Sequence, residues 1–96
     1  VRLTYANYLI ERQRYDEALV HGREALRINP VDYEAHSLLG RLMIQQGDLD
    51  QARYHITEAL RLDPDYKPAR DNLQQLQIAI NRFNPVQLHS PESYRH

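Results

Sequence analysis

The chain has 96 residues, of which 42% are hydrophobic and 26% are charged, a composition typical of an ordinary globular domain. Twelve Lys and Arg against thirteen Asp and Glu give a formal net charge of −1, without the strongly basic face of a nucleic-acid binder. The absence of Cys excludes disulfide scaffolds, thiol catalysis and Cys-based zinc sites. No apolar run reaches the roughly 20 residues that a membrane span needs.

The chain repeats itself with a period of 34 residues. When residues 1–34 are aligned with residues 35–68, nine positions are identical, against about two expected by chance. The identical pairs are Ile10 and Ile44, Asp16 and Asp50, Ala18 and Ala52, His21 and His55, Glu24 and Glu58, Ala25 and Ala59, Leu26 and Leu60, Arg27 and Arg61, and Pro30 and Pro64. The sequence therefore predicts two copies of one supersecondary unit.

The first period predicts two amphipathic helices. Apolar and small residues recur at three- and four-residue spacing in each of them. They are Tyr5, Ala6 and Leu9 in the first helix and Ala18, Ala25 and Leu26 in the second. The turn between them is Gln13-Arg14, which holds no glycine, so the end of the first helix is weakly marked.

The second period follows the same plan with clearer boundaries. Its first helix carries Ala35, Leu38, Leu39, Leu42 and Met43, and its second carries Ala52, Ile56, Ala59 and Leu60. Gly47-Asp48 is predicted to end the first helix because glycine accepts the left-handed conformation. We expect Asp50 to cap the second helix and Asp63-Pro64 to end it.

A fifth helix is predicted from about Tyr66 to Arg82, with Leu73, Leu76 and Ile80 on its inner side. Its outward side is rich in glutamine, as expected where an array meets water instead of another repeat. Residues 83–96 have no helical period and are predicted to be an irregular tail. We expect one of its large side chains to anchor this tail on a helical surface. The candidates are Phe83, Val86, Leu88 and Tyr94.

The 34-residue period and its small residues resemble the tetratricopeptide repeat family. The second period matches that pattern through Leu39-Gly40, Met43, Ala52, Ile56, Ala59 and Pro64, and the first through Tyr5-Ala6, Leu9, Ala18, Ala25 and Pro30. In this motif the small residues let paired helices approach closely, and larger ones would force them apart. Arg2 and His36 replace the Trp of the family pattern, and Gly22 replaces its Phe.

The resemblance implies an all-α fold, a right-handed superhelix of helix pairs whose first helices line a concave surface. The implied organisation is repeat one at 1–32, repeat two at 33–66, a capping helix at 66–82 and the tail at 83–96. Two repeats and a cap fall short of the three or so that usually stack stably, and the chain begins inside a helix. We therefore expect further repeats before Val1, and self-association through the open N-terminal edge or the tail.

The residues give no sign of catalysis, cofactor or metal binding. His21 and His55 occupy equivalent places on second helices, and we interpret them as exposed or half-buried side chains duplicated with the repeat. No His-x3-His or His-Glu-x2-His run is present, nor any glycine-rich phosphate loop or nucleophile–base pattern. The sequence thus predicts that this chain is not itself an enzyme.

The first helices carry a second set of residues on the side opposite their inner stripe. These candidate groove residues are Leu3, Asn7, Ile10, Ser37, Arg41, Ile44, Gln45, Asp71, Gln75 and Ile78. An isoleucine recurs once in each first helix of the array. One interpretation is that the isoleucines pack between helices. The other is that they form an apolar stripe for an extended peptide or an amphipathic helix.

Some tetratricopeptide domains clamp a C-terminal carboxylate with Lys, Asn and Arg from successive first helices. The matching positions here are Leu3, Asn7, Leu38, Pro68 and Asn72. Only Asn7 fits that pattern, so the carboxylate-clamp subtype is disfavoured.

The leading hypothesis is a scaffold that binds a peptide or helix of a partner protein in the concave groove, with no nucleic-acid partner. One alternative is an interaction or regulatory appendage of a larger enzyme, such as a glycosyltransferase or a peptidase, whose active site lies outside this chain. The other is a structural spacer or oligomerisation module. The absence of Cys is compatible with any compartment.

Overall fold

Five α-helices account for the fold in the computed structural model, which describes residues 2–83. They are α1 (Arg2–Glu11), α2 (Tyr15–Ile28), α3 (Tyr33–Gln46), α4 (Leu49–Leu62) and α5 (Lys67–Phe83). No strand occurs in the described part of the chain. The predicted all-α class is confirmed. The expected anchoring of the tail lies outside the described residues.

The turns after α1 and α3 share one hydrogen-bond pattern, 34 residues apart. After α3, the Gly47 N–H donates to the Ile44 carbonyl at 3.1 Å and the Asp48 N–H donates to the Met43 carbonyl at 2.9 Å. After α1, Gln13 and Arg14 make the equivalent bonds to Ile10 and Leu9. Gly47 has φ +82° and Gln13 has φ +61°. Gln13 therefore adopts the left-handed conformation that glycine provides in the second turn.

Asp48, not Asp50, caps α4. The Asp48 side chain accepts a hydrogen bond from the Gln51 N–H at 3.2 Å, and its carbonyl accepts from the Ala52 N–H. The same residue thus ends the α3 turn and begins α4, which leaves Asp50 inside the first turn of the helix. There its charge favours the positive end of the helix dipole. The expectation that Asp50 is the cap was wrong by two residues.

Small residues bring the helices of each pair close together. A Cβ atom added to Gly40 would lie 2.6 Å from the Ile56 Cγ1 atom, so α3 and α4 could not approach as they do with a larger residue there. Ala18 and Ala52 are fully buried. Gly22, which stands where the family pattern has Phe, lies against Leu39 of the next pair. The close approach predicted for Gly40 is confirmed.

The two kinds of helix are spaced differently. Helix α1 contacts α3 and α3 contacts α5, whereas α2 and α4 do not contact each other within residues 2–83. The first helices therefore form a continuous layer while the second helices spread apart. This arrangement curves the array, with the first helices on the inner side. Helix α3 lies at the centre of this layer and is the most buried of the five.

Candidate functional site

The concave layer carries a depression of about 370 Å³ where α1, α3 and α5 meet. Its lining residues are Asn7, Glu34, Ser37, Leu38, Arg41, Tyr66, Pro68, Asp71 and Asn72. Polar side chains predominate, and we refer to this depression as the upper groove. Burial raises the pKa of the Tyr66 phenol, and the nearby Glu34 carboxylate raises it further, so this hydroxyl remains protonated at neutral pH.

The crevice between α3 and α5 continues into two more depressions, of about 250 and 390 Å³. We refer to these two together as the lower groove. The smaller is lined by Arg41, Ile44, Gln45, Asn72 and Gln75, and the larger by Ile44, Gln45, Gln46, Gly47, Gln75, Ile78, Ala79 and Arg82. Because neighbouring depressions share lining residues, upper and lower grooves form one continuous furrow along the two helices.

Eight of the ten predicted groove residues line this furrow. Asn7, Ser37, Arg41 and Asp71 belong to the upper groove, and Ile44, Gln45, Gln75 and Ile78 to the lower groove. The structure does not place Ile10 with them, because that side chain is 3% exposed and packs in the core. The side chain of Leu3 lies outside the described part of the structure.

The three isoleucines differ in depth. Ile10 is buried, Ile44 is half-buried, and Ile78 is 48% exposed. Each of the two interpretations of the repeated isoleucine, packing between helices and an apolar stripe in the groove, therefore applies to some of these residues. Ile10 stabilises the stack, and Ile44 also packs against the core. Ile78 presents apolar surface to the furrow.

Asn72 is a lining residue that the sequence-based prediction of the groove omitted. Its amide Nδ2 donates to the Ser37 carbonyl at 2.9 Å and lies 3.0 Å from the Ser37 hydroxyl. These bonds join α3 to α5 and hold the amide in one orientation at the junction of the upper and lower grooves. Asn72 lies 34 residues after Leu38, and this repeat spacing could have identified it as a lining residue. The sequence-based prediction uses this position only as a candidate for the carboxylate clamp.

Arg41 occupies the centre of the furrow, since it lines both the upper groove and the smaller depression of the lower groove. The residue is half-buried and makes no hydrogen bond or ion pair within residues 2–83. Asp71, the acidic residue on the α5 side of the upper groove, is paired with Lys67 at 2.9 Å. The guanidinium therefore presents its donors to the furrow without a partner among the described residues.

A pair of histidines joins α3 to α4 away from this furrow. His36 Nε2 lies 3.1 Å from the Pro30 carbonyl, and His36 Nδ1 lies 3.1 Å from His55 Nδ1. A carbonyl oxygen only accepts, so His36 Nε2 carries the proton and donates. Neutral His36 then accepts at Nδ1, and His55 donates from Nδ1. His21 and His55 are both half-buried, as predicted.

The histidine pair has the geometry of a hydrogen bond. The ring centroids are 5.3 Å apart while the two nitrogens are 3.1 Å apart. The nitrogen–nitrogen distance is that of an N–H···N hydrogen bond, so the two rings meet through these atoms. Within residues 2–83, no group of three His, Cys, Asp or Glu side chains could hold a metal ion.

No helix of the described residues is long and apolar enough to cross a membrane. Comparison with curated proteins finds no match. The model of a tetratricopeptide repeat family matches residues 9–56, which is half of the chain and spans the first turn, α2, α3 and the start of α4. This match covers both copies of the repeated turn, the close approach at Gly40 and part of the 34-residue period. The chain belongs to the tetratricopeptide repeat family.

Proposed function

We propose that this chain is a scaffold that binds an extended segment of a partner protein in the furrow between α3 and α5. Tetratricopeptide repeats generally mediate protein–protein interactions and are typically non-catalytic. Helices α1 to α4 would supply the two repeats, with α5 as the capping helix. The observation that carries the proposal is Arg41, half-buried at the centre of a continuous furrow and without a hydrogen-bond or ion-pair partner among the described residues.

The dimensions of the furrow favour an extended segment. The lining residues of α3 run from Glu34 to Gln46, which at about 1.5 Å per residue is roughly 18 Å of helix. About six residues of extended peptide, at roughly 3.3 Å each, cover that length. The furrow consists of three shallow depressions of 250 to 390 Å³, whereas a helix needs a groove for a cylinder about 10 Å wide.

The chemistry of the lining suits main-chain recognition. Amide side chains of Asn7, Gln45 and Gln75 donate and accept hydrogen bonds, and all three are exposed. An extended peptide has unpaired N–H and C=O groups that such amides satisfy. The half-buried Ile44 and the exposed Ile78 provide apolar surface for the side chains of the peptide.

The proposal is tested by peptide phage display on the 96-residue chain. We expect selection to enrich a set of peptides whose binding is lost in the variant Ile44→Asp. A second variant, Gln75→Lys, changes an exposed lining residue. Because it should fold normally, its loss of binding separates an effect on the groove from an effect on folding. Thr57→Asp, on exposed α4 surface, is the matched control and should bind normally.

Two results would contradict the proposal. One is that no peptide is enriched above background by the folded chain. The other is that enriched peptides bind both groove variants as tightly as the wild type, while circular dichroism shows all proteins to be folded.

A further inference from the structure

The lower groove differs from the upper groove in charge. The upper groove includes two carboxylates, Glu34 and Asp71, among its lining residues. Among residues 2–83, the lining of the lower groove includes no Asp or Glu but has an arginine at each end, Arg41 and Arg82. A site with cations and without anions favours a ligand of negative charge.

Among residues 2–83, neither arginine has an acidic partner. Arg41 and Arg82 make no hydrogen bond or ion pair within the described residues. Elsewhere, Arg27 and Arg61 each pair with a glutamate three residues earlier on the same helix. The half-buried Arg41 is desolvated in part, so a ligand carboxylate gains more from it than from a fully solvated arginine.

Apolar surface lies between the two arginines. Ile44 and Ile78 line the larger depression of the lower groove, and Ile44 extends into the smaller one beside Arg41. Gln75 faces Arg41 across the smaller depression, and Arg82 follows seven residues later on α5. Seven residues of helix span about 10 Å, and the flexible arginine side chains can extend this to the roughly 13 Å between residues i and i+4 of an extended peptide, which point to the same face.

We propose that the lower groove recognises an extended acidic peptide in which two carboxylates, four residues apart, flank an apolar side chain on the same face. One carboxylate binds Arg41, the apolar side chain packs on Ile44 and Ile78, and the other carboxylate binds Arg82. The inference rests on the proposed function and specifies the chemistry of its partner. Glu34 and Asp71 repel further acidic residues, so the part of the peptide in the upper groove is neutral or basic.

The test uses fluorescence polarisation with labelled hexapeptides and the 96-residue chain. Three peptides share a leucine and differ in the residues two positions before it and two positions after it, which are both Glu, both Gln or both Lys. We expect the Glu peptide to bind about tenfold more tightly than the Gln peptide at low salt, since each exposed or half-exposed ion pair contributes roughly threefold. The preference should shrink as salt is raised.

Variants of the two groove arginines test whether these residues cause the preference for the Glu peptide. Arg41→Gln and Arg82→Gln should each reduce the ratio of Glu-peptide affinity to Gln-peptide affinity from about tenfold to about threefold. Arg53→Gln is the matched control, because Arg53 is also unpaired among residues 2–83 but is exposed on α4, outside the furrow. It should retain the full preference.

Equal binding of the Glu, Gln and Lys peptides, or a preference that survives both groove variants, would overturn the inference. A single-stranded oligothymidylate hexamer that bound more tightly than the Glu peptide would also overturn it in favour of phosphate recognition. If none of the three peptides binds while phage display enriches other sequences in the furrow, the acidic preference fails alone. If display also enriches nothing, the proposed function fails with it.

Discussion

At the residue scale, Gln13 holds a backbone conformation that its side chain disfavours. It has φ +61° in a turn whose hydrogen bonds match those at Gly47. Left-handed geometry costs a residue with a Cβ atom on the order of 1 kcal/mol relative to glycine. The sequence left this helix end weakly marked, because glutamine carries no signal for a left-handed residue.

Replacing Gln13 by glycine should therefore stabilise the chain. We expect Gln13→Gly to raise the free energy of unfolding by about 0.5 kcal/mol, since relief of strain exceeds the added entropy of the unfolded chain. Urea unfolding monitored by circular dichroism measures the change. Gln74→Gly, in exposed mid-helix, is the control and should lower stability by about 0.5–1 kcal/mol. A Gln13→Gly protein as destabilised as that control would contradict the account.

The His36–His55 contact makes stability depend on pH. Burial first, and then the electrostatic effects of His36 and Arg23, together lower the pKa of His55 to about 4. The unfolded chain, with a histidine pKa near 6.5, then binds more protons than the folded chain between those values. Stability from neutral His55 is complete above pH 6.5 and is lost as the pH falls towards 4.

We expect this loss to be about 1–2 kcal/mol, less than the full pKa shift implies, because the ring is half-exposed and solvent screens it. Urea unfolding at pH 7, 5.5 and 4 on the wild type and on His55→Gln measures it. The wild type should lose more stability over this interval than the variant, whose glutamine does not titrate. Parallel curves for the two proteins would mean that His55 titrates equally in the folded and unfolded chains.

At the scale of elements, the α3–α4 contact depends on the absence of a side chain at Gly40. A Cβ atom there would lie 2.6 Å from Ile56 Cγ1 and 3.4 Å from the Ile56 backbone nitrogen. The Cγ1 atom is near the base of its side chain and cannot move aside freely. Overpacking of this kind costs about 1–3 kcal/mol, which exceeds the roughly 1 kcal/mol that alanine gains over glycine in a helix.

Gly40→Ala should consequently destabilise the chain by about 1 kcal/mol net. In an Ile56→Ala background the same change should become stabilising, because only the helix propensity remains. Guanidinium unfolding of the four proteins of this double-mutant cycle provides the measurement. If Gly40→Ala has the same sign in both backgrounds, close packing against Ile56 is not the reason for glycine at this position.

The five helices were predicted from the sequence, whereas one helix cap and one contact between helices were not. Periodic apolar residues and the 34-residue repeat predicted all five helices, because both signals are local in the chain. The cap at Asp48 was misassigned to Asp50, since both are aspartates near a helix start and only the hydrogen bonds distinguish them. The His36–His55 contact joins different helices 19 residues apart, and no local pattern indicates it.

At the scale of the whole molecule, the spacing of the helices produces the furrow. The first helices contact one another while α2 and α4 do not, within the described residues, so the array curves around α3. Helical spacing placed eight groove candidates on this inner side. Spacing could not give the depth of Ile10 or the role of Asn72, because both depend on how neighbouring helices pack.

The central claim is that the concave furrow is the binding surface. The most direct test is titration of the ¹⁵N-labelled chain with the Glu-flanked hexapeptide, followed by ¹H–¹⁵N correlation spectra. If the furrow binds the peptide, we expect the largest changes in amide chemical shift at furrow residues such as Arg41, Asn72 and Gln75. The amide shifts of Arg53 and Thr57 on α4 should not change. Shifts confined to α2 and α4, or no shifts at millimolar peptide, would contradict it.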